Sequence, residues 1–223
     1  MQVSADLSQI RQIVNDAYKI LITISKESSE DQRIAQRILG EALTAKGKKV
    51  LTSPTDDSGR FEKVPERSVT FRFGYQGEKI ERLQYRIGDK EVELRFTPFA
   101  NQIKQEDINI EYPLFDFDLL ISVGVSAIEQ LPTEVVSYAL DWEKITSINI
   151  DNNSENSMWG KLNVVLPDVT LYSLLVAMVC QEVQLDIGSQ WKQMILSQTK
   201  EKLPQIGNAS PRLLRMVADL LET

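Results

Sequence analysis

A chain of 223 residues with 42% hydrophobic content can bury a full core, and its single cysteine excludes an internal disulfide framework and fits a reducing compartment. A net charge of −7 argues against general binding to a polyanion, which depends on a basic surface to release counterions. The start Met1-Gln2-Val3-Ser4-Ala5-Asp6 lacks the basic and apolar regions of a secretion signal, and the longest apolar run, Leu171 to Cys180, is too short to cross a bilayer; a soluble, cytoplasmic protein is expected.

Leu7, Ile10, Ile13, Val14 and Ala17 recur at helical spacing, and the apolar run Ile20 to Ile24 then predicts a buried strand. A second helix is predicted after Ser29, with Ser29 as N-cap, Gln32 completing a capping box, and Gly47 as its stop. The strand Lys49 to Thr52 completes a β-α-β unit, which implies parallel pairing. Pro, Asp, Ser and Gly then mark Ser53 to Arg67 as a loop.

Beyond the loop the period becomes two. Val69, Phe71 and Phe73, then Leu83, Tyr85 and Ile87, then Val92, Leu94 and Phe96 alternate with polar residues, and Gly88-Asp89-Lys90 joins the last two runs as a hairpin. An antiparallel β-meander is predicted, with Phe71, Phe73, Tyr85, Leu94 and Phe96 on its buried face and a possible extension through Ile108, Ile110 and Tyr112. The α/β pattern resumes with the strand Asp118 to Val123, a helix over Thr133 to Leu140 and the strand Ile145 to Ile150. Helices at Thr170 to Gln184, Gly188 to Thr199 and Ser210 to Leu221 close the chain. The fold class is α/β, a mostly parallel sheet flanked by helices, forming one domain over 1–223 with the meander inserted at about 68–112.

Cys180 lies in an apolar run and reads as an inert core thiol. Trp142, Trp159 and Trp191 read as packing residues, because no basic stripe accompanies them. Asp151-Asn152-Asn153 reads either as a polar pocket for a phosphate or nucleotide or, preferably, as a turn in which Asn tolerates unusual backbone angles. Glu30 and Asp31 suit the first turn of a helix whatever their further role.

Four segments, taken in order, resemble the DHH phosphoesterases, the family of RecJ-like exonucleases and nanoRNase/PAP phosphatases. Ile148-Asn149-Ile150-Asp151-Asn152-Asn153 looks like that family's Asp-His-His segment, with Asn152 and Asn153 at both His positions. Ile22 to Asp31 looks like the first motif, with Ser25 at its His, Ser29 at its first Asp and Asp31 at its last. Phe117 to Gly124 looks like the second motif, with Gly124 where a metal-binding Asp belongs, and Gln198 stands at the Asp of the last.

The resemblance implies a two-metal site made by oxygen anions and imidazoles converging on two dications. This chain has no histidine and keeps only Asp31 and Asp151 at those positions, so these two are the weak metal candidates. The vestigial site is Ser25, Ser29, Asp31, Gly124, Asp151, Asn152, Asn153 and Gln198. The implied function is a catalytically degenerate, non-enzymatic binding or scaffold protein without catalytic residues or cofactor. The alternative is an active phosphoesterase of the oligoribonuclease or PAP phosphatase type using Mn or Mg through an altered ligand set. The expected partner is a protein or a small phosphorylated ligand, with neither strong nucleic-acid binding nor a membrane; oligomerisation through the meander is left open. The family's second, substrate-binding lobe is not expected in this chain.

Overall fold

Residues 20–24 are apolar or β-branched at every position, and in the computed structural model they form a central strand buried on both faces, as a parallel sheet requires. The structure describes residues 2–3, 7–54, 61–63, 70–74, 80–97, 104–111, 117–138, 145–202 and 218. The expected helix Ser210 to Leu221 lies outside the described residues apart from Ala218, as do Val69, Tyr112 and Trp142. The chain divides into two compact units, Met1–Glu66 with Phe115–Thr223, and Arg67–Leu114.

In chain order the elements are β1 (Gln2–Val3), α1 (Leu7–Asp16), β2 (Lys19–Ile24), α2 (Glu30–Ala45), β3 (Lys49–Ser53), β4 (Glu62–Lys63), β5 (Thr70–Phe73), β6 (Arg82–Ile87), β7 (Val92–Thr97) and β8 (Ile108–Glu111). They continue with β9 (Leu119–Val123), α3 (Thr133–Tyr138), β10 (Ser147–Asp151), β11 (Leu162–Val165), α4 (Tyr172–Glu182) and α5 (Ser189–Lys202). β10 runs from Ser147 to Asp151 rather than from Ile145 to Ile150, so Asp151 is its last residue.

The first unit holds a seven-stranded sheet in the order β1-β11-β10-β9-β2-β3-β4, parallel except where β1 runs against β11. From β2 the chain moves outward to β3, then returns to the other side of β2 at β9 and continues to β10 and β11. The reversal point therefore lies between β2 and β9, where open sheets of this kind form a crevice at the strand carboxyl ends. The loops that leave it start at Ser25 and Gly124.

The larger core packs Ile20, Ile22, Ile24, Ile121 and Val123 of the sheet with residues such as Leu39 of α2 and Leu175 of α4. The opposite face carries a smaller cluster of Leu21, Leu51, Leu120, Val125, Leu131 and Val135. Trp159 packs against that cluster and its indole N–H donates to the Val125 carbonyl at 2.9 Å, while Trp191 donates to Glu41 Oε2 at 2.6 Å. Cys180 is fully buried, and burial pushes its thiol up to about 12. Among the described residues, no helix is long and apolar enough to cross a membrane.

The second unit is antiparallel, as the period of two implies, but its pairing differs from a simple meander. β6 pairs with β7, while β5 pairs with the later β8, giving two separate two-stranded ribbons. Alternation specifies which side chains share a face and leaves the partner strand open. The expected buried face is corrected as well: Phe71 is 52% exposed, Tyr85 72% and Leu94 45%. Phe73 and Phe96 are half-buried and meet edge to face, ring centroids 5.4 Å apart.

Candidate functional site

Asp151 ends a strand of five buried residues, so its carboxylate is delivered to the crevice end of the sheet with no solvent exposure of its own. A bare buried carboxylate costs several kcal/mol, which hydrogen bonds must offset. Five donors converge on it. Oδ1 accepts from the backbone N–H groups of Asn152 (2.8 Å) and Asn153 (3.3 Å) and from the Tyr172 hydroxyl (3.1 Å). Oδ2 accepts from Ser126 Oγ (2.8 Å) and Asn156 Nδ2 (2.6 Å). All five donors are neutral, and together they occupy the lone-pair directions a cation would use.

Asp31 has a different task. It sits in the first turn of α2, and its carboxylate reaches across to the start of α4, where the N-terminal residue Leu171 supplies no side-chain cap. Oδ2 accepts from the Tyr172 N–H at 2.6 Å and Oδ1 from the Ser173 N–H at 3.3 Å. An anion at free helix N–H groups is favourable on both hydrogen-bond and dipole grounds. Tyr172 is thus held at both ends, its backbone by Asp31 and its hydroxyl by Asp151. Burial first, and then the Asp151 charge and hydrogen bond with a smaller effect of Asp31, raise the Tyr172 phenol well above its ordinary value, so it stays a donor.

Gly124 adopts φ 66°, a left-handed conformation that favours glycine. A Cβ there would collide with the Gln32 side-chain amide and lie 3.0 Å from Tyr172 Cε1. Gln32 fills the space because it completes the predicted capping box: its Oε1 accepts from the Ser29 N–H at 2.8 Å, and its own N–H donates to Ser29 Oγ at 3.2 Å. Its Nε2 then donates to the Gly124 carbonyl at 2.9 Å, tying α2 to the end of β9.

The remaining positions fall around this core. Asn152 Nδ2 donates to the Val169 carbonyl and Asn153 Nδ2 to Ser126 Oγ, each at 2.9 Å. Asn153 Oδ1 accepts from the Glu155 N–H (2.9 Å) and Asn156 Oδ1 from the Met158 N–H (2.7 Å), so the loop after β10 is folded by its own side chains. Gln198 Oε1 receives a long 3.5 Å contact from the hydroxyl of Ser173, the residue whose backbone N–H donates to Asp31. Ser25 accepts only a local 3.4 Å contact from the Glu27 N–H among the described contacts, and it is not drawn into the Asp151 network.

Sequence reasoning missed Tyr172, Ser126, Asn156 and the outward reach of Gln32. A tyrosine just after Leu171 and a serine two residues beyond Gly124 gave the only local signals. Among the described residues, no group of three or more His, Cys, Asp or Glu side chains is placed to hold a metal ion.

The architecture is shared with a solved structure. The crystal structure of an exopolyphosphatase-related protein from Bacteroides fragilis aligns with a TM-score of 0.60 at 12% identity, over 97% of this chain and 56% of that one. The likeness is one of fold. The chain spans about half the length of that relative. No protein-family model matches the sequence, and no curated protein matches it.

Proposed function

We propose that this chain is a catalytically degenerate relative of the DHH phosphoesterases, a single α/β domain with an inserted β unit that acts as a non-enzymatic binding or scaffold protein for a protein or small phosphorylated ligand. The observation that carries this reading is the neutral saturation of Asp151 by five donors, with Tyr172 between it and Asp31. Two-metal hydrolysis needs anionic oxygens or imidazoles free to converge on two dications and to lower the pKa of a bridging water. Here one carboxylate is saturated, the other caps a helix, and Gly124 is hemmed in by Gln32 and Tyr172. The fold shared with an exopolyphosphatase-related protein is compatible with this descent and does not by itself carry an activity.

The test is a hydrolysis assay with Mn²⁺ on short oligoribonucleotides and on 3′-phosphoadenosine 5′-phosphate. The expected result is no turnover above the buffer rate. Turnover abolished by Asp151→Ala would establish the alternative, an active metal-dependent phosphoesterase with an altered ligand set.

A further inference from the structure

The Arg67–Leu114 unit keeps a large apolar surface in the open. In the β6·β7 ribbon, Leu83 faces Phe96, Tyr85 faces Leu94 and Ile87 faces Val92, so one side of the ribbon is apolar along its whole length. The other side pairs Gln84 with Arg95 and Arg86 with Glu93, where Arg86 and Glu93 form an exposed salt bridge at 3.1 Å. The apolar side stays largely uncovered, with Tyr85 and Ile87 exposed at 72% and 73% and Val92 at 65%.

The β5·β8 ribbon repeats the pattern, since Phe71 faces Ile110 and Phe73 faces Ile108. Phe73 and Phe96 join the two apolar faces. A two-stranded ribbon is marginally stable alone in water and needs its apolar face covered.

Three observations point to a second copy of this chain as the cover. The first is area. The exposed fractions of these side chains leave on the order of 800 Å² open if a large apolar residue presents roughly 150–200 Å². About 800 Å² per partner is what a standard stable interface buries.

The second is charge. The unit's eight Lys and Arg balance its eight Asp and Glu, so the chain's net charge of −7 resides wholly in the other unit. Two copies of an acidic chain repel one another, and this neutral unit is where they meet at least cost. A neutral patch also offers nothing to a strongly acidic or basic partner.

The third is symmetry. A face that is apolar from end to end is complementary to itself under a two-fold rotation, which is the commonest closed arrangement.

We propose that the Arg67–Leu114 unit is a homodimerisation module, in which the apolar ribbon faces of two copies pack against each other about a two-fold axis. This inference does not depend on the state of the strand-end site, so either can fail alone.

Sedimentation velocity of the full chain, from about 1 µM to about 100 µM, tests it over the affinities that standard interfaces reach. The expected result is a species of twice the 25.3 kDa chain mass at the upper concentrations. The double variant Tyr85→Lys with Ile87→Lys is expected to sediment as a monomer at every concentration. Gln84→Lys, on the polar side of the same ribbon, is expected to remain dimeric. Far-UV circular dichroism checks that the double variant stays folded, and Val92→Lys, opposite Ile87, gives an independent second disruption. A wild-type chain that remains monomeric at about 100 µM overturns the proposal. So does a dimer that survives both the double variant and Val92→Lys.

Discussion

The two units of this chain treat their interaction potential in opposite ways. In the parallel-sheet unit, the polar groups around Asp151 are turned inward onto partners, and Asp151 alone draws in five. In the Arg67–Leu114 unit, apolar side chains are left facing water, with Tyr85 and Ile87 nearly three-quarters exposed. The first pattern makes a closed, pre-satisfied site. The second makes an open surface.

The sharpest way to break that contrast is at Asp151. Asp151→Ala leaves two hydroxyls, an amide and two backbone N–H groups without their shared acceptor in a partly buried place, and it is expected to destabilise the chain by roughly 3–5 kcal/mol. Urea unfolding measures this, and a loss below about 1 kcal/mol means the network is not what holds the strand ends together.

Gly124→Ala comes next. It forces a side chain onto a left-handed backbone and into the Gln32 amide, which is expected to cost about 2–4 kcal/mol through overpacking and strain. The same clash predicts that Gly124→Asp does not create a metal ligand, which Mn²⁺ titration calorimetry of that variant checks.

Tyr172→Phe removes one hydrogen bond to a carboxylate and is expected to cost about 1.5–3 kcal/mol. Its pH dependence has a definite sign. The folded phenol is raised above its ordinary 10.0, so the associated stability is fully present below pH 10 and is lost as pH rises through the folded value, because unfolded chains ionise first. The stability gap between wild type and Tyr172→Phe should therefore narrow above pH 10. A gap constant with pH contradicts the placement of the phenol against Asp151.

The smallest effect is at Asp118, an exposed carboxylate that accepts from the Tyr18 N–H at 2.8 Å and the Lys19 N–H at 2.7 Å. Those bonds, Lys19 first, lower its pKa below 3.8, so the stability it contributes is present above pH 3.8 and lost as pH falls through the folded value. Asp118→Asn should cost under about 1 kcal/mol at neutral pH, with the difference from wild type vanishing in acid.

What the sequence discloses follows how local each interaction is. The Ser29–Gln32 capping box is legible because both partners lie within one turn. The parallel strands are legible because burial on both faces leaves unbroken apolar runs such as Ile20 to Ile24. The positions of Asp151 and Gly124 follow from where those runs stop. Tyr172 is not legible in this way, because its role depends on Asp31 and Asp151, both far away in the chain. Nor is the pairing of β5 with β8, since alternation marks a face and not its partner. The exposure of Tyr85 and Leu94 fails for the same reason: a period of two says that one face is apolar without saying that anything covers it.

Five donors of the chain itself meet the Asp151 carboxylate, and we infer that they leave no place for a dication. Thermal unfolding of the wild-type chain with and without millimolar Mn²⁺ tests it most directly, because a ligand at 100 times its Kd adds about 2.7 kcal/mol of stability, or a rise of roughly 5–10 °C for a chain of this size. No rise in Tm is expected. A rise of that size in the wild type, abolished in Asp151→Asn, would contradict it.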